Sequence, residues 1–130
     1  MWDVAGWHVE LYVDAAAVDV ARLARLPKVV IDHLGMTAAG LRPLLRLVEA
    51  GASVKATGFG RVELDVVGAL TAVAAVNPGA LLFGTDLPST RARRPFEPAD
   101  IDLVLEALGE PAARLALHDN GVALYRPGNR

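Results

Sequence analysis

The sequence of 130 residues contains no cysteine. This absence excludes disulfide bonds, zinc sites built from thiolates and cysteine nucleophiles. An excess of positive charge is missing too, because 13 Lys and Arg stand against 15 Asp and Glu for a net charge of -2. Such a chain lacks the basic field that attracts nucleic acid or an anionic membrane. We therefore expect neither nucleic acid nor a membrane among its partners.

Long apolar segments are the third absence. Residues 1–7 have neither the basic region nor the apolar core of a signal peptide, and no apolar run reaches the ~20 residues that span a bilayer. We therefore expect a soluble protein that resides in the cytoplasm.

Apolar residues are nevertheless abundant, at 53% of the chain. This content suffices for the core of one domain, which we place at 1–130. The length falls well short of the ~250 residues of a complete barrel of eight strand–helix units.

Strands and helices are predicted to alternate along the chain. Each apolar strand ends at a turn or polar residue, and each helix at Pro, Gly or Asn-Pro-Gly. Continuous apolar strands joined by helices are typical of an α/β fold with a parallel sheet. A tail at 120–125 is predicted to pack apolar residues before a disordered end. The strands are predicted near 7–13, 28–33, 53–57 and 81–84, and the helices near 15–26, 38–50, 63–76, 99–108 and 111–118.

Ionisable side chains follow two of these strands. Asp86 comes after the run Leu-Leu-Phe-Gly-Thr, and His33 comes after Val-Val-Ile-Asp. Because parallel strands end at the same edge of a sheet, Asp86 and His33 are predicted to converge there. An ionised carboxylate can take a proton from water, and a histidine can polarise a carbonyl or bind a metal. The alternatives are that Asp86 caps the next element and that His33 is satisfied within its loop.

Several other charged residues could contact a substrate. Lys55, in the third strand, faces either a barrel interior or an exposed edge. Arg61 follows a glycine-rich loop and could clamp a substrate carboxylate or be solvated. The basic cluster Arg91, Arg93 and Arg94 beside Asp86 could attract an anionic substrate, but such clusters more often form a solvated loop. We expect structural roles for His8, which shares a strand face with Glu10, and for His118.

Four stretches resemble the amidohydrolase-related family. They are Val-Val-Ile-Asp-His-Leu-Gly at 29–35, Val-Lys-Ala-Thr-Gly at 54–58, Leu-Phe-Gly-Thr-Asp-Leu-Pro at 82–88 and Asn-Gly-Val-Ala-Leu-Tyr at 120–125. The resemblance is strongest to the lactonase-like branch that contains 2-pyrone-4,6-dicarboxylate lactonase. It implies a partial (β/α)8 TIM barrel, in which the four units correspond to strands five to eight.

The resemblance also implies an activity. The chain would be a hydrolase of a lactone, amide or related small carbonyl substrate, with Asp86 as the base, His33 as the group that polarises the carbonyl, and Arg61 and Lys55 as substrate-binding residues. A divalent metal such as zinc would be held by His33 and Asp86, although the lactonase-like branch can work without metal.

One family motif is missing. The first strand of the family carries His-x-His, whereas His8, His33 and His118 are far apart in this sequence. We therefore expect the C-terminal half of a barrel, completed in a homodimer or by an N-terminal half. The alternative is a non-catalytic half-barrel that serves as a binding module. A phosphate-binding fold is disfavoured, because no glycine-rich phosphate motif lies between a strand and a helix.

Overall fold

Four short strands form one parallel sheet in the computed structural model, which describes residues 7–126. The end predicted to be disordered lies mostly outside this range. The strands are β1 (Val9–Leu11), β2 (Val29–Ile31), β3 (Ser53–Ala56) and β4 (Leu81–Phe83), in the spatial order β1-β2-β3-β4. Parallel neighbours need a crossover between them, and helical segments supply it. The predicted α/β alternation and parallel sheet are confirmed.

Six helices accompany these strands in the described part of the chain. None of those in the described range is long and apolar enough to cross a bilayer. A π-helical turn, Leu115–Asp119, joins the last two helices, and short 3-10 turns precede several elements. The helices are α1 (Val20–Leu23), α2 (Leu41–Glu49), α3 (Val66–Val76), α4 (Ala99–Leu108), α5 (Glu110–Arg114) and α6 (Asn120–Tyr125).

The first crossover is less helical than predicted. The single helix expected at 15–26 is replaced by the 3-10 turn Ala15–Ala17 and the one-turn helix α1. Asp14 caps the turn, and its carboxylate accepts a hydrogen bond of 2.9 Å from the backbone amide of Ala16. A second aspartate, Asp19, then adopts an extended conformation and caps α1. A capping side chain competes with helix continuation, so two caps five residues apart divide the run.

The segment before α2 also departs from the sequence-based interpretation. Thr37, which directly precedes the 3-10 turn of this segment, makes no side-chain capping bond. Its hydroxyl instead donates to the carboxylate of Asp14 at 2.7 Å. The helix begins later than predicted, because the 3-10 turn Ala38–Gly40 precedes it. Thr37 therefore links the segment between β2 and β3 to the segment between β1 and β2.

The C-terminal segment is more helical than predicted. A helix was predicted at 111–118 and a packed apolar tail at 120–125, whereas the chain is helical from 110 to 125, so the helical segment is longer than predicted. The amide of Asn120 donates to the carbonyl oxygens of Pro78, at 2.8 Å, and Leu81, at 3.0 Å. These bonds tie the last helix to the start of β4 and favour its continuation.

The two faces of the sheet differ in character. On the outer face, alternate strand residues such as Ile31, Val54 and Leu81 are fully buried against Leu44, Leu70 and other apolar helix residues. On the inner face, the strand register pairs Glu10 with Val30, and Lys55 with Leu82. Residues paired in this way point to the same side. The inner face therefore carries the charges.

The first and the last strand form the edges of the sheet. β1 and β4 each pair with one strand only within the described part of the chain. Their outward backbone groups are available for a further strand.

Candidate active site

A cleft of about 550 Å³ opens where the strands end at their carboxyl side. All four residues predicted from the sequence to form the site line this cleft. Both aromatic and charged side chains contribute to its wall. The lining residues are Tyr12, Asp32, His33, Lys55, Thr57, Arg61, Leu82, Phe83, Gly84, Asp86, Gly121 and Tyr125.

His33 and Asp86 face each other across this cleft. The Nε2 atom of His33 lies 4.0 Å from Oδ1 of Asp86. That separation is too long for a direct hydrogen bond, but an oxygen atom about 2.8 Å from each can join them. Both residues have positive φ, 51° for His33 and 59° for Asp86. Such values are uncommon in residues other than glycine and cluster at functional sites.

The imidazole of His33 is held in place on several sides. Its Nδ1 atom lies 2.7 Å from the hydroxyl oxygen of Thr57, and the ring of Tyr12 packs edge-on at 4.8 Å. Gly58 has φ +61°, and a Cβ there would lie only 2.7 Å from Nδ1. Burial lowers the pKa of His33, and the opposing attraction of Asp86 and Asp32 is weaker. His33 is therefore neutral near neutral pH.

Arg61 contacts Asp86 directly. Its Nε donates to Oδ2 of Asp86 at 2.5 Å, and this hydrogen bond raises the pKa of the guanidinium. The pairing occupies one of the two carboxylate oxygens and leaves Oδ1 facing His33. Arg61 is thus engaged within the protein, while its role in substrate binding stays a prediction.

Lys55 projects from the inner face into the cleft. Because β3 pairs with strands on both sides, the alternative of an exposed edge is wrong. The ammonium donates to Oε2 of Glu10 at 2.8 Å and lies 3.8 Å from Oδ1 of Asp32. Burial lowers the pKa of Lys55, but the bond to Glu10 more than reverses this, so the pKa is raised. Lys55 therefore stays cationic.

Glu10 is the centre of a network that the sequence did not single out as part of the site. Burial raises its pKa, but hydrogen bonds from Lys55, Tyr125 and His8 outweigh it and lower the pKa to about 2. The Tyr125 hydroxyl donates at 2.6 Å, and His8 Nε2 lies at 3.0 Å. The shared face of His8 and Glu10 was visible in the strand alternation, whereas Tyr125 is 115 positions from Glu10 and left no local signal.

Two arginines of the basic cluster, Arg93 and Arg94, make hydrogen bonds that hold the loop between β4 and α4 in place. Arg94 makes two hydrogen bonds to the buried carboxylate of Asp100, at 2.7 and 3.0 Å, and so is not merely solvated. Arg93 donates to the carbonyl oxygen of Val62 at 2.5 Å. These bonds fasten the long loop between β4 and α4 beside the cleft.

The residues present do not complete a metal site. Within the range 7–126, no three His, Asp or Glu side chains gather as metal ligands, whereas zinc takes at least three from the protein. His33 Nε2 and Asp86 Oδ1 could supply two, but Arg61 already occupies the other oxygen of Asp86. The described donors alone do not fit zinc, so no reaction step is assigned to a metal.

Comparison with known proteins yields one match. A family model described as amidohydrolase matches residues 3–126, a range that includes all four strands, His33 and Asp86. No curated protein and no solved structure matches the chain.

Proposed function

The chain belongs to the amidohydrolase family, and from this premise we propose that it catalyses attack of water on a carbonyl carbon. The observation that carries the proposal is the pairing of His33 and Asp86 across the cleft, with 4.0 Å between Nε2 and Oδ1. A water molecule bound to Oδ1 and a carbonyl oxygen bound to Nε2 would lie next to each other, so that Asp86 can take the proton while His33 polarises the carbonyl.

Asp86 is the base in this mechanism. Its Oδ2 is held by Arg61, so Oδ1 is the oxygen that takes the proton from water as the water attacks. General-base assistance of this kind requires the carboxylate within hydrogen-bond reach of the water. Arg61 fixes the orientation of the carboxylate during that step.

His33 acts on the carbonyl oxygen. The hydroxyl of Thr57 can donate to Nδ1, which leaves the proton of the neutral imidazole on Nε2. The Nε2–H group then donates to the substrate oxygen and stabilises the negative charge that develops on it. A neutral histidine suits this role, and burial keeps His33 neutral.

The same proposal includes the branch of the family, the strands of the barrel that the chain provides and the class of substrate. The order of the four sequence motifs supports placing β1 to β4 as strands five to eight of a TIM barrel in the lactonase-like branch. A lactone or amide is the substrate class that this placement favours. The open edges at β1 and β4 support completion of the barrel by a second copy or by an N-terminal half.

A binding module is the alternative function. The observation that favours it is the Arg61–Asp86 ion pair, because a carboxylate already paired with arginine also suits a purely structural role. In that case Asp86 would anchor the loop that carries Arg61, and the cleft would bind a carbonyl compound without turning it over.

Replacement of Asp86 by Asn distinguishes the two functions. With purified full-length chain and a panel of lactones, esters and amides, we expect Asp86→Asn to lower kcat/KM by roughly 100- to 10,000-fold, since the amide cannot take the proton. Asp102→Asn, an exposed change on α4, is the matched control. Circular dichroism should be the same for all three proteins. Unchanged turnover in Asp86→Asn, or no turnover by the wild type, would favour the binding module.

A further inference from the structure

The last helix, α6, connects the two edge strands of the sheet. At its start, the side-chain amide of Asn120 donates to the carbonyl oxygens of Pro78, at 2.8 Å, and Leu81, at 3.0 Å, where β4 begins. At its end, the hydroxyl of Tyr125 donates to Oε1 of Glu10 in β1 at 2.6 Å. β1 and β4 are the first and the last strand in the spatial order and do not pair with each other. One helix of 6 residues therefore reaches from one edge strand to the other.

The dimensions of the sheet and of the helix agree with such a span. Neighbouring strands are about 4.8 Å apart, so the three gaps between β1 and β4 add up to about 14 Å. A helix of 6 residues is about 9 Å long, and the side chains of Asn120 and Tyr125 cover the rest. Gly121 and Tyr125 line the cleft together with Lys55. The helix therefore crosses on the inner side of the sheet and leaves the cleft open beside it.

Both ends of α6 attach to residues whose backbone groups point away from the sheet. The amide of Gly84 bonds to β3, and the direction of the backbone groups alternates along a strand, so the carbonyl of Leu81 points outward. On β1, the carbonyl of Leu11 accepts a bond from the end of β2, so the backbone of the preceding residue, Glu10, points outward. A strand added to either edge would pair with these outward groups.

The attachment of α6 is weak apart from its two ends. Asn120 is the one buried residue of the helix, whereas Val122 and Tyr125 are 36% and 50% exposed. Besides the bond to Glu10, Tyr125 makes an edge-on contact with the ring of His8 at 5.5 Å. So short a helix is marginal by itself in water, and segments with few buried apolar contacts open most readily. The Tyr125 end of α6 can therefore detach while the core stays intact.

We infer that α6 is a strap that closes the sheet on itself and competes with a second copy of the chain for the two edges. The inference rests on the part of the proposed function in which a second copy completes the barrel. An eight-stranded barrel has an interior just wide enough for side chains. A helix with its side chains is about 10 Å across, so α6 cannot stay on the inner side once the barrel closes. Closure therefore requires the release of Tyr125 from Glu10 in both copies.

The dissociation constant of the dimer tests the strap. Sedimentation equilibrium of the full chain compares the wild type with Tyr125→Phe, which lacks the hydroxyl but keeps the ring. A dimer opens two straps, and each opening breaks a hydrogen bond to a carboxylate, so Tyr125→Phe should lower the dissociation constant roughly 10- to 100-fold. Val122→Ala, an exposed change in the same helix, is the control and should keep the wild-type constant. Equal constants for all three proteins, or weaker association of Tyr125→Phe, would overturn the inference.

Hydrogen exchange follows the strap itself. The wild type is measured at concentrations below and above the dissociation constant. In the dimer, the amides of 121–125 should exchange faster, because α6 is released. The amides of Glu10 and Phe83, which point outward from β1 and β4, should exchange more slowly, because a neighbouring strand pairs with them. Unchanged protection of 121–125 in the dimer would contradict the competition.

The outcomes separate the strap from the proposed function. Dimers with equal dissociation constants would contradict the strap and leave completion of the barrel by a second copy in place. Monomers in every variant at every concentration would contradict that completion and, with it, the competition. Hydrolysis that depends on Asp86 is measured separately and decides the catalytic proposal by itself.

Discussion

The outer and inner faces of the sheet are made by the same four strands, but the outer face packs apolar side chains and the inner face carries charged ones. Ile31, Val54 and Leu81 on the outer face are completely buried under helices. The inner face, with Glu10 and Lys55, carries charged groups that satisfy one another around an open cleft. Because side chains alternate along a strand, one short sequence supplies both environments. Stability should therefore depend mainly on one face and chemistry on the other.

The largest expected effect concerns the state of association. The outer face is covered, but the inner face and the edges β1 and β4 are open in the part of the chain that the structure describes. A second copy related by a two-fold axis could pair β1 with β4 and close a barrel of eight parallel strands. Light scattering over a range of concentrations should then give twice the mass of the chain. A stable monomer at all concentrations would contradict this expectation.

Two adjacent leucines compare the faces directly. Leu81 is completely buried in the outer core, whereas Leu82, which is itself only 4% exposed, lines the cleft on the inner face. Leu81→Ala leaves an enclosed cavity and should lower the free energy of unfolding by about 3–5 kcal/mol. Leu82→Ala also removes a buried side chain, but the space it leaves joins the cleft, so the cost should be lower, about 2 kcal/mol. Urea denaturation measures both variants, and equal costs would mean that the faces do not differ in this way.

The smallest expected effect is a pH dependence of the free energy of unfolding that comes from His33, in the cleft on the inner face of the sheet. Burial lowers the pKa of His33 below its ordinary 6.5, so the unfolded chain binds a proton more readily than the folded one. Stability should therefore decrease as the pH falls below 6.5 and through the lowered pKa of the folded state. Asp32, Asp86 and Arg61 carry the charges that act on the imidazole.

The variant His33→Gln should lose this part of the pH dependence. Leu81→Ala is the control from the outer face, because it should lower stability by the same amount at each pH. Urea denaturation between pH 5 and 7.5 provides the comparison. The same slope in His33→Gln and wild type would show that His33 does not titrate in this range.

Local patterns in the sequence determined the framework. An alternating run at 7–13 and three apolar runs further along the chain are enough to locate the four strands, since a parallel sheet covered by helices demands buried apolar residues in its strands. The placement of Asp86 and His33 after strands was also sufficient to predict that they share one edge. Both conclusions depend only on neighbours in the chain.

Other features were decided by the tertiary structure. The bonds of Arg61 to Asp86 and of Tyr125 to Glu10 join residues 25 and 115 positions apart, and no local pattern pairs them. The helix that ends at Tyr125 depends on Asn120 reaching carbonyl oxygens around β4. Which partner satisfies a charged or amide side chain depends on what folding brings within about 3 Å of it. The sequence therefore indicated where the site lies, while the long-range contacts determined which of its groups are paired with one another.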